Sequence, residues 1–194
     1  MAVIFSGRGG MPLAADLEGR WQGPPVVLLH SQGQSRRVWR HTLKRLAAQG
    51  FLAIAYDARG CGDSVEAVDE DLSLTAQMSD LRHVIDQLGG HAVVVAHGTS
   101  AMVAQYGAAG SRATSTEALV LIDPSPPSAA LFRSGLSREE IERAVASVSA
   151  PTLVWAKANP PSGGNKPGQA RLSRSAIDAM LQFVCAHTKM STAV

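Results

Sequence analysis

Five short apolar runs, each followed by residues at helical spacing, constrain this chain more than any other feature. Val26-Val-Leu-Leu29, Phe51–Tyr56, Ala92-Val-Val-Val-Ala96, Ala118-Leu-Val-Leu-Ile122 and Thr152–Trp155 are apolar at successive positions rather than alternate ones. Such a run suits a strand covered on both faces. Helices are expected over 36–48, 74–88, 99–109, 137–148 and 173–187, and Leu74, Met78, Leu81, Ile85 and Leu88 form one stripe of the second. Gly50 ends the first helix, and Ser137 with Glu140 has the spacing of a capping box. An earlier strand is expected over 12–18, whereas Met1–Gly10 reads as a short apolar start and then glycines. This alternation predicts an α/β fold, a parallel sheet with helices on both faces. In such sheets chemistry collects at the carboxyl ends of the strands. The informative residues are therefore those just after Leu29, Tyr56, Ala96, Ile122 and Trp155.

Composition narrows the class. At 194 residues, 45% hydrophobic and 18% charged, the chain reads as one globular domain with a real core. The net charge is +2, and the densest basic group, Arg36, Arg37 and Arg40, reads as a solvated helix face. No nucleic-acid module accompanies it, so no nucleic-acid partner is expected. Cys61 and Cys185 lie far apart and suggest no disulfide framework, hence a reducing compartment. No apolar run approaches the roughly 20 residues that span a bilayer, and the N-terminus is too short for a signal peptide. The expectation is a cytoplasmic protein without a membrane partner. Walker, zinc and dinucleotide motifs are absent from the sequence, and neither a metal nor a cofactor is expected.

Three strand ends carry the motifs: His30-Ser-Gln-Gly-Gln-Ser35, Asp57-Ala-Arg-Gly-Cys-Gly-Asp-Ser64 and Ala96-His-Gly-Thr-Ser100. Taken in this order, they resemble the α/β-hydrolase superfamily over residues 11–156. Within it the likeness is to ester hydrolases, epoxide hydrolases and cofactor-free, non-haem haloperoxidase-like enzymes. Asp57–Ser64 is the most specific segment. The resemblance implies the family's parallel sheet and a strand-to-helix elbow, G-x-S-x-G, that raises a nucleophile beside a base and two backbone N–H donors. Cap and last-strand regions look reduced, because only a short helix fits between Asp123 and Pro151 and a Pro/Gly-rich loop runs over 156–172. The whole of 1–194 reads as a single hydrolase-like domain, shortened relative to the family.

Aligned on the elbow, the residues are Ala96, His97, Gly98, Thr99 and Ser100, so the nucleophile's place falls on Gly98, which has no side chain. Shifting the register to make Ser100 the nucleophile puts Met102 where a small residue is needed. The oxyanion hole needs only backbone donors. Gln32 and Thr99 match those two positions, although the same amides read equally well as ordinary loop donors to water. Ser31 replaces the family's Gly in that loop, which restricts how it bends. His187 lies on the wrong side of the closing helix to serve as base, and His41, His83, His91 and His97 read as structural or surface residues. Ala156–Pro160 offers no carboxylate after the strand ending at Trp155, which leaves Asp123, after the preceding strand, as a candidate acid. Cys61 reads as an inert cysteine in an exposed loop.

The expectation is thus a pseudoenzyme of hydrolase or haloperoxidase-like lineage with a degenerate triad. Two alternatives stand beside it. One is an active esterase or peroxidase-like enzyme using Ser100 with Asp123. The other is a non-catalytic module for a partner or for a small apolar ester-like or peroxide ligand.

Overall fold

The computed structural model describes residues 1–65, 71–109, 116–125, 138–155 and 174–188. Strands β1 (Ala2–Ser6), β2 (Pro12–Glu18), β3 (Pro25–Leu29), β4 (Leu52–Tyr56), β5 (Ala92–His97), β6 (Thr116–Ile122) and β7 (Thr152–Trp155) form one sheet in the order β1-β2-β4-β3-β5-β6-β7. From β4 to β7 neighbouring strands run parallel, while β2 pairs antiparallel with β4 and with β1. Helices α1 (Arg40–Ala48), α2 (Leu74–Gln87), α3 (Ala101–Ala108), α4 (Arg138–Ala146) and α5 (Arg174–His187) complete the expected alternation. The predicted Ser137 cap, the loop over 156–172 and the acid-free stretch after Trp155 lie outside the described residues.

The apolar runs are buried on both sides, as their composition requires. In β3, Val27 and Leu29 join one core while Val26 and Leu28 join the other. The same alternation divides β4, β5 and β6. Leu81, Val84 and Ile85 of α2 and Met102 and Val103 of α3 pack on the first face. Leu43 and Leu46 of α1, with Met180 and Val184 of α5, cover the second. Each fully buried aliphatic side chain contributes about 1.5–3 kcal/mol, and the sheet collects such contributions from both faces.

Three expectations are corrected. Met1–Gly10 holds a strand, β1, which pairs residue for residue with β2 from Ala2↔Asp16 to Ser6↔Pro12. Its own pattern is weak because it is an edge strand: Phe5 is buried while Ile4 is exposed. The helices predicted from 36 and from 99 both open as 3-10 turns, Arg36–Trp39 and Gly98–Ser100, before their α segments. Arg36 is not part of a solvated face: it is buried, while Arg37 and Arg40 are exposed.

β3 lies at the centre, with β4 on one side and β5 on the other. The chain reverses its direction of travel across the sheet here, and this switch point opens a crevice at the carboxyl ends of β3 and β5. His30–Gln32 and Gly98–Ser100 meet in it.

Candidate functional site

The loop after β4 forms one wall of the crevice. The Asp57 carboxylate, fully buried, accepts from the backbone N–H of Arg36 at 2.6 Å and of Asp63 at 2.8 Å, and pairs with the Arg36 guanidinium. Arg36 also reaches Asp63 at 2.8 Å and Asp16 at 3.3 Å. Three carboxylates thus surround one cation, which is why Arg36 is buried. The turn tolerates only glycine at 62, where φ is +51° and a Cβ would lie 2.7 Å from Asp57 Oδ1. Ser64 closes the loop by donating to the Asp57 carbonyl and accepting from the N–H of Ala14, both at 3.0 Å. The most specific motif of the sequence is therefore scaffolding for the site's rim.

A second ion pair joins this wall to α2. Arg59 donates to both Asp80 oxygens, at 2.6 and 2.7 Å, and to the Asp71 carbonyl at 2.9 Å. Arg59 and Asp80 are both buried. Sequence reading missed this pair, because neither residue has a local signal that separates it from a surface charge.

His30 ties the crevice floor together. Its Nε2 accepts from the N–H of Ala58 at 3.0 Å, so Nδ1 carries the proton and donates to the Ser31 carbonyl at 2.9 Å. Burial lowers its pKa below the ordinary value, with the bond to Ser31 and the nearby Asp57 opposing. Both ring nitrogens are thus engaged in fixing loops.

The elbow bends at Gly98, where φ is +62°, immediately after β5. A Cβ added there would lie 2.9 Å from Ser31 Cβ and closer still to Ser31 Oγ. Ser31 therefore occupies the space that a side chain at position 98 would need. The two backbone donors expected to form an oxyanion hole both have partners inside the chain. The N–H of Gln32 donates to Thr99 Oγ1 at 3.0 Å, the N–H of Thr99 donates to Ser31 Oγ at 3.3 Å, and the two hydroxyl oxygens are 3.2 Å apart.

The other candidates fall around this centre. Ser100 is buried, and its hydroxyl donates to the His30 carbonyl rather than into the crevice. Asp123 ends β6 in a left-handed conformation, φ +43°, the only non-glycine residue so placed among the described residues. Its N–H donates to the Trp155 carbonyl at 2.6 Å, and Ser125 two residues on donates its N–H to the Gly98 carbonyl at 3.2 Å. His97, half-buried, turns its ring edge-on to Trp39 of the second core, 6.4 Å between centroids. His41, His83, His91 and His187 are exposed, and the last is held by the Phe183 carbonyl and ring. Of the six histidines only His30 lines the cleft.

That cleft has a volume of about 540 Å³, within the range of small-molecule sites, and is lined by Gln32, Arg59, Leu72, Gln77 and Thr99 among others. Cys61 also lines it and is half-buried rather than exposed. Burial pushes its thiol pKa up, which Asp57 reinforces and the backbone N–H of Gly33 opposes. Among the described residues no group of three or more His, Cys, Asp or Glu could hold a metal, and no helix is long and apolar enough to cross a membrane.

A model of the alpha/beta hydrolase family matches residues 26–190. Epoxide hydrolase 2 of Siraitia grosvenorii is 41% identical over 87 residues, covering 43% of this chain and 27% of its own length. Epoxide hydrolase B of Mycobacterium tuberculosis is 38% identical over 92 residues, covering 46% and 26%. The chain thus spans about a quarter of the length of these curated relatives. Among solved structures, an epoxide hydrolase from Vigna radiata superposes with a TM-score of 0.56 at 28% identity, over 63% of this chain and 39% of its own. A further structure from Mycobacterium tuberculosis covers 96% of this chain and 100% of its own, with a TM-score of 0.71 at 18% identity, a likeness of fold.

Proposed function

Since this chain belongs to the alpha/beta hydrolase family, we propose that it keeps the family's fold and cleft but binds a small apolar molecule without running nucleophilic hydrolysis. One observation carries this reading: at the bend where attack on a carbonyl or epoxide carbon would begin, Gly98 presents only hydrogen, and Ser31 packs against that spot. Covalent catalysis needs a nucleophile and a base in hydrogen-bond reach. Ser100 spends its proton on a carbonyl, and His30, the one histidine of the cleft, uses both nitrogens on loops. Relatives named epoxide hydrolases suggest an apolar epoxide- or ester-sized occupant. The two unbridged cysteines fit a reducing, cytoplasmic setting.

Purified protein assayed with aryl esters, styrene oxide and hydrogen peroxide is expected to show no turnover above a mock purification. Turnover that copurifies with the protein and survives that control would overturn the proposal.

A further inference from the structure

The hydroxyl pair at the crevice changes what the cleft can hold. Gln32 N–H and Thr99 N–H, a pair of donors suited to a negative oxygen, are both taken up by Thr99 Oγ1 and Ser31 Oγ. The two hydroxyl groups own two protons, and the 3.2 Å separation places one of them between the oxygens. The other has no acceptor among the described residues. Thr99 lines the cleft, and with Ser31 donating to it the Thr99 hydroxyl keeps its own proton for a ligand, so this corner offers one neutral O–H in place of the two capped N–H groups.

We propose that the cleft selects an uncharged molecule bearing a carbonyl, ether or epoxide oxygen, and turns carboxylates away, because the Ser31–Thr99 pair caps both backbone donors. This rests on the reading of the cleft as a binding site. A neutral hydroxyl makes a weaker bond to an anion than two convergent N–H dipoles do, and does not compensate for removing a carboxylate from water. The remaining charges in the described wall agree. Arg59 is committed to Asp80 and to the Asp71 carbonyl, so its charge is balanced within the protein. The Asp71 carboxylate at the rim is likewise paired, with Arg8 at 3.2 Å, so these paired charges in the described wall give an ion of either sign little to gain. Leu72, 53% exposed, supplies apolar surface on the same wall.

Acetophenone, benzoate and benzylammonium share a ring and differ in charge. Ligand-observed NMR titration of the full chain is expected to show saturable acetophenone binding, with both ions on the order of tenfold weaker. Ser31→Gly uncovers the Thr99 N–H, and Thr99→Ala uncovers the Gln32 N–H. Each is expected to raise benzoate affinity by about tenfold, a gain that misfolding does not produce. Ser31→Thr, which keeps a hydroxyl, is expected to exclude benzoate as the parent does. The proposal is overturned if acetophenone shows no saturable binding, if benzoate binds the parent as well as acetophenone, or if neither unmasking variant admits benzoate. Turnover of styrene oxide by the parent would instead remove the non-catalytic reading and leave these affinity comparisons standing.

Discussion

Gly98 and Ser31 are 67 residues apart in the chain, yet each makes the other possible. With φ at +62°, position 98 penalises any side chain by about 1–2 kcal/mol, and Ser31 adds a steric clash. Gly98→Ser is therefore expected to lower unfolding free energy by about 1–3 kcal/mol in urea titrations and to produce no esterase activity. Placed in a Ser31→Gly background, the same substitution is expected to cost less, and a double-mutant cycle measures that coupling. Equal losses in both backgrounds would show that Ser31 does not occupy the space. His30 gives a second prediction at this scale. Its folded pKa lies below the ordinary 6.5, so an unfolded chain takes up that proton first as pH falls. Its stabilising contribution is complete above about pH 6.5 and is lost as pH drops below that value toward the folded pKa. The urea midpoint is expected to fall between about pH 7.5 and about pH 5, and His30→Gln to flatten that fall.

Elements are joined here by buried charge as much as by apolar contact. The Arg59–Asp80 pair is what fixes α2 to the loop after β4, and Asp80 also accepts the N–H of Arg8 at 2.8 Å, tying in the turn after β1. Removing one partner strands the other charge in the interior. Asp80→Ala is expected to cost about 3–5 kcal/mol, read from denaturant unfolding. Ser73→Ala is expected to cost about 1 kcal/mol, because the Ser73 hydroxyl accepts the N–H of Ala76 at the start of α2. A roughly three- to fivefold contrast of this kind separates a buried pair from a simple cap. β1 illustrates why an edge strand was illegible: with one neighbour and one buried side chain, it has no periodicity of its own, and its strand identity comes from pairing with β2.

For the molecule as a whole, the two cores share the same strands, since alternate residues of β3 to β6 face opposite layers. Loss of either layer exposes the sheet that the other needs. Thermal melts followed by far-ultraviolet dichroism and by tryptophan fluorescence, to which buried Trp39 contributes, are expected to coincide as one transition. Separate midpoints would show that the layers unfold independently. The central strands, their helices and the side-chain-free bend at 98 were all legible in the amino-acid order. Consecutive apolar residues, 3.6-residue stripes and a tight turn are settled by near neighbours along the chain. The fate of polar groups was not. Arg36 looks like Arg37 and Arg40 until the loop carrying Asp57 and Asp63 folds over it. The Ser31 and Thr99 hydroxyls meet across 68 residues. A hydrogen bond requires two atoms about 3 Å apart, and for groups so distant in the chain only the packed sheet brings them to that distance.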